Sequence, residues 1–373
     1  MATPATLVLA DETVFKGTAV GHHGRAAAKL VSYACVTGFP DVMTDPSCHG
    51  KMLLFTYPHI GNAGVGQADY QSDHVHAKAV VCREVSAIKA NRLSEMTFDE
   101  FLKKHEVPGI AGIDTRRLAR IVYENGPQQA AVGCGKHADP KSLLGFLREH
   151  DFAAPAKRDF ATAKARMYNK LEESGDNPRR WKVAVYDFGV KRGFLRRLEN
   201  MGCEIKLLPH AAAAKDALDE GIDGVVFSAG PGIPSDEKKA VKTASEIIGK
   251  KPLWGIGVGA GVLALAAGAE ISVDGRGHYG EHGVGRRDEP SGEMTMQCHD
   301  FRIEADSLSP AKLEMSHYHL NDKTVAGFES EELGMMGALF HPEAEPGPRD
   351  SLYLFERFEV MMHHRKKKWL GLI

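Results

Sequence analysis

The sequence predicts an α/β protein of two domains, on three observations. The chain has 373 residues, more than one domain of ordinary size. From Trp181 onward, short apolar runs alternate with helical stretches, the pattern of a parallel sheet covered on both faces. Between residues 151 and 180 the composition turns polar and mixes Ala with Lys, Arg and Asp, with Gly175 and Pro178 near its end. These shifts place a first domain at 1–150, a linker at 151–180 and a second domain at 181–373.

In the first domain, Thr6–Gly17 reads as two short strands around an Asp-Glu turn. Residues 26–36 and 42–57 form a mixed region in which Leu53–Asn62 is a strand running into a loop, and Val75–Val85 reads as a strand. Thr97 opens a helix through His105, with Glu100 three residues on as a capping-box partner. Gly112–Tyr123 is a second helix capped by Asp114 or Thr115, and Pro140–His150 a third. In the second domain, strands are expected at Lys182–Asp187, Glu204–Pro209 and Gly224–Ser228, and helices at Val190–Met201, Ala211–Glu220 and Glu237–Gly249. Residues 270–340 look richer in strand, and Leu352–His364 closes the chain as a helix before the basic Arg365–Lys368.

The stretch Pro252–Ala269 organises the second domain. Leu253, Trp254 and Ile256 form a buried strand, four glycines from Gly255 to Gly261 break it, and Val262–Ala267 is a small-residue helix. A sharp strand-to-helix turn lifts one side chain above a sheet and sets it at a helix N-terminus, so α/β enzymes often place a nucleophile there. The residue at the apex is Gly257, which has no side chain.

Composition excludes several classes. A formal net charge of −2 argues for neither nucleic acid nor anionic membrane as a partner. No run of about 18 apolar residues exists to cross a membrane, and Met1–Asp11 lacks the basic start of a signal peptide. The six cysteines at 35, 48, 82, 134, 203 and 298 are scattered, as reduced thiols of a cytoplasmic protein would be. No metal site and no cofactor are assigned to this chain.

Several ordered blocks carry a family likeness. The first domain has Thr44-Asp-Pro-Ser47, Phe55–Asn62 and Pro108–Arg116; the second has Val185–Arg192, Ser228-Ala-Gly-Pro-Gly232 and His341-Pro-Glu-Ala-Glu-Pro-Gly-Pro348. Along nearly its whole length the chain resembles the small, glutaminase subunit of carbamoyl-phosphate synthetase. The resemblance implies an N-terminal mixed α/β small-subunit domain followed by a class I glutamine amidotransferase-like parallel-sheet domain. It also implies a mechanism in which a cysteine thiolate at the elbow attacks the glutamine amide. A histidine in the His-Pro-Glu turn shuttles the proton, a glutamate orients it, and glycine-rich turns hold the oxyanion. The freed ammonia passes to a large subunit.

His341 and Glu343 match that histidine and glutamate, and Ser47, Gly230, Gly232 and Phe301 match substrate-pocket positions. Gly257 stands where the cysteine belongs, Val258 where Leu is usual, and Gly261 where a substrate-contacting Gln is usual. Ala260 replaces a usual His, and Ala229 a usual Asn. In Met296–Phe301, Cys298 replaces a usual Asn and Asp300 a usual Gly. Taken together, the departures imply a small subunit without glutaminase activity that supports an ammonia-using large subunit in pyrimidine or arginine biosynthesis. His341 and Glu343 are then a remnant dyad that fixes the turn. Two alternatives stay open: a non-catalytic binding or regulatory protein detached from the synthetase, and a hydrolase whose nucleophile has moved to Cys298.

Overall fold

The computed structural model describes residues 2–152, 161–168, 180–273, 277–289 and 291–369. The chain divides into two compact units, Met1–Ala156 with Tyr279–Glu281, and Lys157–His278 with His282–Ile373. Of the stretch read as a linker, 153–160 and 169–179 lie outside the described residues. Arg166–Tyr168, inside that stretch, forms an edge strand antiparallel to Cys203–Pro209. Among the described residues no helix is long and apolar enough to cross a membrane. All six cysteines are buried free thiols.

The first unit is built on a closed barrel of seven strands. In order around it run Pro4–Leu9, Val14–Gly21, Pro108–Ala111, Ala79–Val81, Lys51–Phe55, Arg25–Tyr33 and Gln128–Cys134. Alternation fills it: Ala5, Leu7 and Leu9 share one core with Leu30, Leu54, Val81 and Val132. Val8 faces the other way, against Leu143 and Leu147 of helix Pro140–Arg148. The Thr97–Glu100 capping box is present, the Glu100 amide donating to Thr97 Oγ1 at 3.2 Å and the Thr97 amide to Glu100 Oε2 at 2.8 Å. The second helix is Thr115–Asn125, capped by Asp114, whose Oδ1 accepts from the Arg117 amide at 3.0 Å. The segment ahead of it is strand Pro108–Ala111.

The second unit holds one mixed sheet of eleven strands. Its centre is parallel, in the order Cys203–Pro209, Trp181–Asp187, Gly224–Phe227, Leu253–Ile256 and Met335–Ala338. It continues antiparallel through Val325–Ser330, Glu314–His319 and His278–Arg286. The sheet is therefore mixed, not purely parallel, because Val325–Ser330 returns antiparallel between Glu314–His319 and Met335–Ala338. The central strands feed two separate cores. Tyr186, Val225, Phe227 and Leu253 pack on one face with helices Lys238–Ile247 and Val258–Ala267. Val183, Val185, Val226, Trp254 and Ile256 pack on the other with Phe194, Leu198, Phe355 and Phe358.

The helix expected over Ala211–Glu220 is only a single 3-10 turn at Ala214–Asp216. Its carbonyls are claimed from outside. Thr243 Oγ1 donates to Ala212 O at 3.1 Å, Tyr186 Oη to Ala213 O at 3.1 Å and Lys206 Nζ to Asp216 O at 2.9 Å. The basic Arg365–Lys368 lies within helix Tyr353–Trp369.

Candidate functional site

Strand Leu253–Ile256 lies between Gly224–Phe227 and Met335–Ala338, both parallel to it. The three therefore end on one side of the sheet, the side on which open α/β sheets bind ligands. Gly224–Phe227 is followed by Ser228–Gly232, Leu253–Ile256 by Gly257 and helix Val258–Ala267, and Met335–Ala338 by Phe340–His341 and Glu343. Gly257 sits at φ 53° and ψ −120°, a conformation that L side chains rarely adopt. Its amide donates to Ala338 O at 2.8 Å. A Cβ there would meet Ala229 Cβ at 3.3 Å, a tight approach, and the positive φ strains any side chain placed there whatever the space. Gly259 is different: a Cβ would stand 2.1 Å from Phe227 O, so the first turn of the helix packs directly on the strand. The amino end of that helix offers unpaired amides, with the positive end of its dipole, beside the turn. The turn itself supplies no nucleophilic atom.

His341 and Glu343 are buried together. His341 Nδ1 stands 3.4 Å from Glu343 Oε1, and the same oxygen lies 2.6 Å from Lys191 Nζ. All three side chains are at most 2% exposed. Lys191 also donates to the Glu345 carbonyl, and Arg197 Nε donates to the Glu343 carbonyl at 3.3 Å. Burial pushes the Glu343 carboxyl up, but the Lys191 ammonium and His341 outweigh it and hold it down at about 2. Glu343 is thus a carboxylate shared between an imidazole and an ammonium. Lys191 was missed as a site residue; its signal was the Val-Lys-Arg end of the Val185–Arg192 block.

The pocket positions fall into groups. Gly261 is packed against Pro234 and Phe301: a Cβ there would stand 2.3 Å from Pro234 Cγ and 2.8 Å from Phe301 Cε2. Gly230 lies against the Phe188 carbonyl, which a Cβ would approach to 1.9 Å, and Gly232 takes φ 103°. Val258 is buried in the core under the helix. Cys298 is buried at the end of strand Gly292–His299, whose Met296 pairs with His341. Asp300 is half-buried and Phe301 buried. Just before them His299 is fixed by Phe301 O and Gln297 Oε1, each at 2.9 Å. Ser47 belongs to the first unit, where its amide donates to Asp45 Oδ1 at 2.8 Å and its carbonyl accepts from Lys51 Nζ at 3.2 Å. A cavity of about 670 Å³, lined by Arg180, Lys182, Glu204, Lys250 and Arg365, opens at the amino ends of the parallel strands, away from the turn.

Comparison with known proteins agrees with this arrangement. Residues 7–132 match the family described as "Carbamoyl-phosphate synthase small chain, CPSase domain", and residues 184–361 match "Glutamine amidotransferase class-I". The chain is 36% identical over 391 residues to the "Carbamoyl phosphate synthase small chain" of Synechocystis sp., covering 99% of both. It is also 36% identical over 366 residues to the protein of the same name from Listeria monocytogenes, covering 98% of both. A third such small chain, from Syntrophotalea carbinolica, is 36% identical over 378 residues, with 97% of this chain and 99% of the other covered. With the matched blocks on both units and the parallel strands of a mixed sheet ending in a strand-to-helix turn, the chain belongs to the carbamoyl phosphate synthase small-chain family, an N-terminal small-chain domain followed by a class I glutamine amidotransferase domain.

Proposed function

We propose that this chain is the small subunit of a carbamoyl-phosphate synthetase, that it does not hydrolyse glutamine, and that it supports a large subunit using free ammonia. In this reading it works as a cytoplasmic heterodimer in pyrimidine or arginine biosynthesis, and the chain itself needs no cofactor for that role. One observation carries the reading: the apex of the turn is Gly257, which offers no group to form a thioester. A second supports it. Pro234 and Phe301 fill the space beside Gly261 where a longer, amide-bearing side chain would need to stand. The buried Lys191–Glu343–His341 cluster then serves to hold the turn after Phe340–His341 in place.

The test is co-purification with the cognate large subunit, then carbamoyl-phosphate synthesis assayed with glutamine and with ammonium. The expected result is a stable complex active with ammonium and inactive with glutamine. Turnover of glutamine, or a glutamyl adduct found by intact mass and mapped to Cys298, would overturn it in favour of a relocated nucleophile. Failure to associate at micromolar concentration would favour a protein detached from the synthetase.

A further inference from the structure

Away from the turn and its pocket, histidines gather with an aspartate on the antiparallel part of the second unit's sheet. His278 and His282 lie on strand His278–Arg286, His319 ends strand Glu314–His319, and Asp322 follows in the next turn. Val284 is the Cα partner of His319, so His282, two residues before Val284, is on the same face of the sheet. The rings of His278 and His319 stack with centroids 3.7 Å apart, and that of His282 is 5.0 Å from His319 and 5.4 Å from His278. His278 Nε2 lies 3.0 Å from Asp322 Oδ2. One ligand atom from each of His278, His319 and Asp322 falls within 4.8 Å of the other two.

The second observation is His319 itself. It is 1% exposed, yet among the described residues neither ring nitrogen has a hydrogen-bond partner. A buried polar group left in that condition is destabilising, so it calls for an explanation. A cation bound at the ring edges, by one nitrogen of each imidazole and a carboxylate oxygen, supplies one. His278 Nε2 already holds one carboxylate oxygen of Asp322, Oδ2. Thr324 fixes the other carboxylate oxygen, its amide at 3.1 Å and its Oγ1 at 2.7 Å, the kind of outer support that metal-bound carboxylates have. His299, with its ring 5.2 Å from His278, is not a candidate, because Phe301 O and Gln297 Oε1 take both its nitrogens.

We propose that His278, His319 and Asp322 bind a divalent transition-metal ion of the zinc class, with solvent completing its coordination. Imidazole and carboxylate donors suit zinc in four-coordinate sites. The ion ties strand His278–Arg286 to the turn after Glu314–His319 and takes no part in chemistry at Gly257. Arg302 Nη2, 3.6 Å from Asp322 Oδ2, is the competing cation and shifts when the ion enters.

The test uses the full chain, stripped with a chelator and titrated with Co²⁺ as a spectroscopic stand-in. One tight site is expected, with the intense visible absorption of low-coordinate Co²⁺, lost when Zn²⁺ displaces it. Zn²⁺ alone should raise the thermal midpoint of the stripped protein. His319→Ala should weaken binding by at least the roughly 10–100-fold that loss of an outer-shell partner costs. Asp322→Asn, at an exposed turn position that keeps the Thr324 contact, should do the same even if the histidine variant fails to fold. The proposal is overturned if the wild-type chain shows neither the absorption nor the thermal shift, or if Asp322→Asn binds as tightly as wild type.

Discussion

Gly257 is where residue-scale reasoning decides most. The family likeness identified the position from sequence, but the reason a replacement would be uncomfortable is backbone geometry, which composition does not display. An L residue at φ 53° carries a strain of about 1–3 kcal/mol. Gly257→Cys is therefore expected to lower unfolding free energy by that amount in urea titration while giving no glutaminase turnover. Turnover at the rate of intact relatives would show the pocket to be whole. Gly261→Gln should cost a further 1–3 kcal/mol or so through overpacking against Pro234 and Phe301, so Gly257→Cys combined with Gly261→Gln is also expected to show no glutaminase turnover. Glu343 gives a pH-dependent counterpart. Its carboxyl is depressed from 4.5 to about 2, so its stabilisation is complete above pH 4.5 and lost as pH falls towards 2. Glu343→Gln leaves Lys191 buried without its charge partner and should cost about 3–5 kcal/mol at pH 7. That cost should shrink across the same acid window, and a cost that is flat with pH would refute the coupling.

At the scale of elements, what was legible followed from local rules. Thr97 with Glu100, and Asp114 ahead of Thr115, announce helix starts because a side chain can satisfy an amide within three residues, and both caps form. Ala211–Glu220 misled for the complementary reason. Alanine favours a helix only where nothing competes for its carbonyls, and here Thr243, Tyr186 and Lys206 reach in from distant parts of the sequence. The same limit explains the sites that sequence reading missed. Lys191 meets Glu343 across 152 positions, 343 − 191, and the His278–Asp322 group spans 44, 322 − 278. Neither has a spacing that marks it, since strand pairing and not local periodicity brings the members together.

For the whole molecule, the order of the two units, the βα alternation and the strand-to-helix turn were readable, whereas closure of the first unit into a barrel was not. Seven strands reveal alternation along each strand but not which edges meet. The sheet of the second unit has a further consequence. Because its central strands send alternate side chains into two cores that share no members, it acts as an insulator between them. Damage on one side has no physical route to be felt on the other except through the backbone, which hydrogen bonds hold fixed. Val225→Ala and Ile205→Ala, one in each core, should then each destabilise the protein while their effects add within about 0.3–0.5 kcal/mol in a double-mutant cycle. A larger coupling would mean that the sheet flexes as one body and transmits strain. An insulated sheet instead lets the helices around Gly257 change independently of the face that packs against the C-terminal helix, so a change at the turn does not have to be accommodated by the opposite core.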